Sequence, residues 1–166
     1  MQQENNCKTT PVSYPLWAKV LCWALTAACM CAIFYFSSRT AAESSAQSDA
    51  VKAFLIKVFG DGFFTEFIVR KSAHFLEYTG LGLLFALAFY IHFGKPKTLL
   101  AIVCASAYAV TDEIHQLFVE GRACKFADWG IDTAGAVAGA LFILAVISIA
   151  DRYRSKRKKG IDRTIK

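Results

Sequence analysis

Four long apolar runs, separated by short polar segments, dominate this sequence. They cover residues 16–36, 73–93, 98–119 and 127–150. An α-helix rises about 1.5 Å per residue, so about 20 apolar residues cross the hydrocarbon core of a bilayer. The pattern therefore predicts an all-α integral membrane protein built as a bundle of four membrane-spanning helices. The first run is too long for the apolar region of a cleaved signal peptide, so we expect it to be retained as an anchor.

A shorter apolar pattern lies between the first two runs. Apolar side chains recur there at the spacing i, i+3, i+4, i+7 and i+8, at Val51, Phe54, Leu55, Val58 and Phe59. This spacing is typical of an amphipathic helix, which between two spans is expected to lie flat on the membrane interface. The glycines of segment 60–62 should break this helix, and the Ser- and Ala-rich segment 37–48 is predicted to be a loop or a frayed helix.

Positive charge is concentrated at the C-terminal end of the chain. Residues 151–166 contain eight basic residues and two aspartates, and the whole chain of 166 residues has a net charge of +6. Basic residues beside a span stay in the cytoplasm, so four spans place both termini there. Contact with anionic lipids explains the basic tail, and no nucleic-acid partner is expected. The predicted organisation is a cytoplasmic segment (1–15), a membrane domain (16–150) and a basic cytoplasmic tail (151–166).

The same topology assigns the connecting segments to the two sides of the membrane. Segments 37–72 and 120–126 are expected outside, and the link 94–97 inside. Cys7 and Cys124 then lie on opposite sides. The six cysteines include no C-x-x-C pair, and most lie in apolar runs, so no disulfide framework is predicted.

Seven ionisable residues interrupt the apolar runs, all near the ends that this topology places outside. A charge inside a bilayer costs at least roughly 2.5 kcal/mol, so such residues are rare and usually mark a site. Residues three and four apart share one side of a helix, and on that basis the acids should face one another. The predicted outward polar pocket contains Lys71, His74, Glu77, Tyr78, Asp112, Glu113, His115, Gln116, Arg122, Asp128 and Asp132.

Small residues lead along the same helix sides to this pocket. Gly135 and Gly139 form a small-xxx-small motif, which lets two helices approach closely. Gly82 lies on the side of its run that carries His74 and Tyr78. We therefore expect Gly82, Gly135 and Gly139 to pack helices together beneath the polar residues.

Three interpretations of the pocket remain open. In the first, Arg70, Lys71 and Arg122 neutralise the acids in a purely structural network. In the second, the pocket holds a metal or performs hydrolysis, because two imidazoles and several carboxylates suffice for zinc or a harder ion. The metal candidates are His74, Glu77, Asp112 and His115. No residue stands out as a nucleophile, and the sequence requires no cofactor, although a divalent metal is compatible with it.

The third interpretation is recognition of an anionic group at the outer surface. Arg122 follows a glycine in a short external link, and Arg70 and Lys71 begin the facing run. Arginine binds phosphate or carboxylate through two parallel hydrogen bonds. A lipid-linked cell-wall precursor carries pyrophosphate at this depth in the membrane, and it is the preferred ligand class.

Three sequence segments resemble the VanZ-like family of small bacterial membrane proteins. They read FYFSSRTAAESSAQS, RKSAHFLEYTGLGLL and YAVTDEIHQLFVEGRACKFADWGIDTAGAVAG, within residues 34–140. Many relatives have Asn where this chain has Asp132, and Pro is common where it has Glu120. The resemblance implies a multi-pass protein of the bacterial plasma membrane, and the family's namesake is associated with resistance to the lipoglycopeptide teicoplanin. It thus implies an envelope role, by binding a lipid-linked precursor or by altering access of the antibiotic.

A membrane-embedded hydrolase or metal-dependent enzyme acting on a lipid-linked phosphate is the alternative function. The expected partners are membrane lipids and either a lipid-linked precursor or a lipoglycopeptide. The sequence leaves the oligomeric state open, a homo-oligomer included.

Overall fold

Five α-helices make up the part of the chain that the computed structural model describes, residues 13–60 and 64–164. They are α1 (Leu16–Ser37), α2 (Ala41–Phe59), α3 (Glu66–Phe93), α4 (Thr98–Gln116) and α5 (Phe126–Thr164). These residues contain no β-strand. The prediction of an all-α protein is confirmed. Most of the predicted N-terminal segment, including Cys7, lies outside the described residues.

Three of these helices are long and apolar enough to cross a membrane. They are α1, α3 and the part of α5 from Phe126 to Arg154. α4 is not among them: it has 19 residues and ends in a polar stretch that includes Asp112 and Glu113. Length and composition thus support three of the four predicted spans. They do not confirm the predicted bundle of four membrane-spanning helices.

The ends of two helices differ from the sequence prediction. α3 begins at Glu66 rather than at residue 73, because the side chain of Thr65 caps the helix by accepting a hydrogen bond from the backbone N–H of Ile68 at 3.2 Å. Arg70 and Lys71 are charged, so the apolar run in the sequence begins only after them. Arginine and lysine are nevertheless good helix formers, and the helix itself begins earlier. α4 ends at Gln116, three residues before the predicted end.

The amphipathic pattern after the first span does form a helix, and α2 is longer than the pattern. It begins at Ala41, inside the segment predicted to be a loop or a frayed helix. A capping box starts it: Thr40 Oγ1 accepts from the N–H of Glu43 at 3.3 Å, and Glu43 Oε2 accepts from the N–H of Thr40 at 3.0 Å. The latter bond lowers the pKa of Glu43. Gly60, with φ of +87°, ends α2, and Asp61 and Gly62 lie outside the described residues.

Glycines bring α3 and α5 into close contact. A Cβ atom added to Gly82 would lie 2.7 Å from the Cα atom of Ala136, closer than real contacts allow. Cβ atoms on Gly135 and Gly139 would collide with the backbone of Phe75 and Thr79 on α3. The backbones of the two helices therefore touch without intervening side chains, as small-residue interfaces between membrane helices do.

α4 packs against the other helices through alanines and is joined to α1 and α5 by side-chain hydrogen bonds. Ala101, Ala105 and Ala109 are fully buried. The hydroxyl group of Ser106 is 2.9 Å from that of Thr133 on α5. Tyr108 donates a hydrogen bond to the carbonyl oxygen of Met30 on α1 at 2.7 Å. The middle of α4 is thereby held close to the second half of α1 and the first half of α5.

Candidate functional site

Buried ionisable side chains from three helices meet near one end of the helix assembly. α3 contributes His74, α4 contributes Asp112 and α5 contributes Asp132. One nitrogen or oxygen atom of each lies within 4.8 Å of one such atom of each of the others. We call these three residues the buried triad. Asp132 is 0% exposed and Asp112 is 3% exposed, so both carboxylates are almost entirely removed from solvent, whereas His74 is only partly buried.

The buried triad has few hydrogen-bond partners among the described residues. His74 Nδ1 lies 3.5 Å from Asp132 Oδ1, which is an ion-pair distance, but the two atoms do not form a hydrogen bond. His74 Nδ1, both oxygens of Asp132 and Oδ1 of Asp112 have no partner. The hydroxyl group of Tyr78, also fully buried, has none either. Leaving such groups unsatisfied costs about 1–3 kcal/mol each, and more when they are charged.

Gln116 holds the other oxygen of Asp112. Its Nε2 atom is 3.4 Å from Asp112 Oδ2 and 3.0 Å from the hydroxyl oxygen of Ser37 on α1. This side chain thus connects the ends of α1 and α4 and leaves Oδ1 of Asp112 free to face the triad. Ser37 was not predicted as a site residue, because a serine at the end of an apolar run carries no specific signal.

Two other acids of the predicted pocket are partnered separately. Lys71 forms an ion pair with Asp128. Glu113 Oε2 accepts a hydrogen bond from the backbone N–H of Lys125 at 2.7 Å. Oε1 of Glu113 has no partner among the described residues, as is also true of Oδ1 of Asp112. Asp132 differs from these acids because both of its carboxylate oxygens are unpartnered.

Arg122 is placed by a tight turn in that loop. Gly121 has a φ of +72°, which favours glycine, and the N–H of Arg122 donates to the carbonyl oxygen of Val119 at 3.1 Å. Its Nε donates to the carbonyl oxygen of Arg39 at 3.0 Å. Burial and then the nearby Arg70 lower the pKa of Arg122, but a guanidinium stays protonated in proteins.

A cavity of about 790 Å³ opens between α2 and α3. Apolar side chains of both helices form its walls, among them Val51, Leu55 and Ile68. Five ionisable residues also line it: Arg70, His74, Glu77, Asp112 and Arg122. The buried triad therefore borders the cavity through two of its members.

The remaining metal candidates lie apart from the triad. His115 stacks on Phe34 of α1, with ring centroids 4.4 Å apart, and its Nε2 is 3.1 Å from the hydroxyl oxygen of Ser38. Glu77 lines the cavity but does not belong to the triad. The structure thus brings His74 and Asp112 together with Asp132 rather than with Glu77 and His115.

Comparison with known proteins identifies the family. The family model described as VanZ/LLP1 matches residues 22–148, which is most of the chain. Neither the curated proteins nor the solved structures give a significant match. The matched range includes all members of the buried triad, both cavity arginines and the glycines between α3 and α5. The chain belongs to the VanZ/LLP1 family.

Proposed function

We propose that this protein binds an amphiphile with an anionic head group, such as a lipid-linked cell-wall precursor, in the cavity between α2 and α3. The observation that carries the proposal is the pair of guanidinium groups, Arg70 and Arg122, at one part of a mainly apolar cavity. Among the described residues, neither of them forms an ion pair with a carboxylate. Two adjacent unpaired cations repel each other, and a bound anion removes that repulsion.

The shape and lining of the cavity support an amphiphile rather than a small polar ion. A volume of about 790 Å³ is within the usual range for organic ligands. The apolar walls suit a hydrocarbon chain, and a guanidinium group binds phosphate through two parallel hydrogen bonds. Along α3, Arg70 precedes His74 by about 6 Å and Glu77 by about 10 Å. Arg70 thus lies nearer the start of α3 than His74 and Glu77 do.

The proposal includes four membrane-crossing helices. α4 turns its acids inward, where Asp112 and Glu113 are each 3% exposed, and presents apolar side chains such as Val103 and Ile114 on its outer side. An outward apolar side and inward acids suit a helix surrounded by lipid. On α2, Phe54, Val58 and Phe59 are exposed, as expected of a helix that lies on the interface.

The orientation we propose places both termini in the cytoplasm of a bacterial cell and the cavity outside. It rests on the basic residues after the last apolar stretch, which include Arg152, Arg154, Lys156 and Arg157. An outward cavity would meet lipid-linked envelope precursors and lipoglycopeptides such as teicoplanin on the same side of the membrane.

Arg122 provides the test of this function. In protein reconstituted in lipid nanodiscs, we expect farnesyl pyrophosphate to bind and farnesol, which lacks the charge, to bind at least tenfold more weakly. Arg122→Lys keeps the charge but loses the planar pair of donors, so it should weaken pyrophosphate binding by about tenfold or more, nearly as much as Arg122→Ala. Arg39→Lys is the matched control, because Arg39 pairs with Glu43 and contributes only its backbone to Arg122.

Equal binding of farnesyl pyrophosphate by wild type and Arg122→Ala would contradict the proposal. An Arg122→Lys protein that binds normally, beside an Arg122→Ala protein that melts earlier, would instead identify Arg122 as a structural residue. Teicoplanin susceptibility of cells that express the same variants relates binding to the envelope role.

A hydrolase is the second candidate, because His74 and Asp112 line the cavity where a general base would be needed. The same nanodisc experiment separates the two functions. Release of inorganic phosphate from farnesyl pyrophosphate over time, abolished by His74→Ala, would favour the hydrolase, and binding without release favours the binding protein.

A further inference from the structure

We infer that the buried triad of His74, Asp112 and Asp132 is a binding site for one divalent transition-metal ion, with Zn²⁺ as the best match. This inference does not depend on the proposed amphiphile binding. It differs from the set expected from the sequence, since Asp132 takes the place of Glu77 and His115.

The distances within the triad fit a shared metal ion. One ligand atom of each residue lies within 4.8 Å of one atom of each of the other two. His74 Nδ1 and Asp132 Oδ1 are 3.5 Å apart. Two ligand atoms at roughly 2.1 Å from a tetrahedral metal lie about 3.4 Å from each other. The separation of the two atoms, which form no hydrogen bond, thus suits two ligands of one ion.

Unpartnered buried atoms are the independent sign of a missing ligand. Asp132 is 0% exposed, and neither of its oxygens has a hydrogen-bond partner among the described residues. Asp112 Oδ1 and His74 Nδ1 are unpartnered as well. A carboxylate without any partner is very costly in a protein interior, so it takes up a proton or binds a cation. Here, three residues on three different helices present such atoms to one point.

No lysine or arginine side chain of the described residues supplies a positive charge to the two aspartates. Lys71 is paired with Asp128, and the described residues contain no ion pair between a lysine or arginine and Asp112 or Asp132. A divalent ion with two carboxylates and a neutral imidazole gives a site without net charge. The imidazole favours zinc and its neighbours over magnesium or calcium, which prefer oxygen ligands alone.

The surroundings of the triad resemble those of open metal sites. Gln116 binds Oδ2 of Asp112 and thereby orients the carboxylate, as residues around metal ligands commonly do. Three protein ligands leave the fourth position of a tetrahedral ion open. Since His74 and Asp112 line the cavity, a water molecule or an anionic group in the cavity has access to that position.

Zinc titration of the purified protein tests the inference. The full chain, without a polyhistidine tag, is stripped with a chelator in detergent and titrated with Zn²⁺ by calorimetry, with no amphiphile present. We expect one ion per chain and a rise in Tm of about 5 °C or more at saturation. Asp132→Asn keeps the side-chain shape and should weaken zinc binding by about 100-fold, whereas Asp151→Asn on the same helix should bind like wild type.

Two results would overturn the metal site. The first is a wild-type protein that binds no Zn²⁺ or whose Tm is insensitive to it. The second is an Asp132→Asn protein that binds zinc like wild type, because a ligand that contributes nothing to binding is not a ligand. If Asp132→Asn fails to fold, as judged by gel filtration, Asp112→Asn takes its place with the same expected loss. Failure of zinc binding leaves the farnesyl pyrophosphate experiment unaffected.

Discussion

α3 has two sides with opposite packing. Towards α5, glycines and alanines bring the two backbones into direct contact at Gly82, Gly135 and Gly139. Towards α2, the same helix borders a cavity of about 790 Å³ and exposes Arg70, His74 and Glu77 to it. Close packing excludes any ligand, whereas the open side keeps both space and charge. In the function we propose, the α5 side of α3 therefore contributes stability and the α2 side contributes binding.

Replacing one glycine by a larger residue should disrupt the close contact between α3 and α5. Of the predicted effects, this loss of stability is the largest. A Cβ atom at Gly135 would collide with the backbone carbonyl of Phe75, which has no side-chain freedom with which to move away. We expect Gly135→Ala to cost about 3 kcal/mol and to lower the Tm of the detergent-solubilised protein by roughly 6–12 °C.

Gly130→Ala is the matched control on the same helix, because a Cβ atom at Gly130 has no neighbour within 4 Å. Alanine is the better helix former, so this variant should keep or slightly raise the Tm. Equal Tm values for the two variants would contradict a stabilising close contact between α3 and α5 at Gly135.

Filling the cavity should affect binding and leave stability almost unchanged. Ser48 of α2 is buried and lines the cavity. We expect Ser48→Phe to weaken farnesyl pyrophosphate binding about tenfold, because the ring occupies the space of the hydrocarbon chain, with a Tm within about 3 °C of wild type. Ala53→Phe is the control on an exposed position of α2. A normal affinity of Ser48→Phe would place the amphiphile elsewhere.

Thiol labelling of Cys124 tests whether the cavity next to α3 opens outside the cell or towards the cytoplasm. Of the predicted effects, the change in labelling rate is the smallest. Cys124 is exposed, and Cys7, its predicted counterpart in the cytoplasm, lies outside the described residues. Desolvation and the negative charge of Glu113 raise the pKa of Cys124. Only the thiolate reacts, so a membrane-impermeant maleimide should label intact cells slowly at pH 7 and several-fold faster at pH 8.

Glu113→Gln should accelerate this labelling a few-fold at pH 7, and Cys124→Ser should abolish it. Labelling of Cys124 that requires permeabilised cells would reverse the proposed topology and turn the cavity towards the cytoplasm.

The helices of this protein could largely be predicted from its sequence, but not all of their ends. Apolar runs and the period of α2 identify helices, because those signals are local. The start of α3 was missed because it is determined by the Thr65 cap, and because charges within a helix end an apolar run without ending the helix. The start of α2 is set by the Thr40–Glu43 capping box, whereas the Ser- and Ala-rich composition of segment 37–48 predicted a loop or a frayed helix.

The composition of the triad depends on packing that the sequence does not contain. Helical spacing places His115 near the side of Asp112, but its ring packs on Phe34 of α1 and lies close to Ser38, the residue that follows α1. Asp132 was predicted as a pocket residue, but its closeness to His74 results from the glycine contacts between α3 and α5. Only the arrangement of three helices decides which of several acids share one point.

The length of α5 determines how deep the triad can lie in a membrane. This helix continues without interruption from Phe126 to Thr164. Twenty residues separate Asp132 from Arg152, a distance of about 30 Å along the axis, which equals the thickness of the hydrocarbon core. A bilayer that holds Arg152 at one boundary therefore places Asp132 at the other, where water and head groups are close. The length of α5 therefore keeps the carboxylates near the membrane surface and away from the centre of the bilayer.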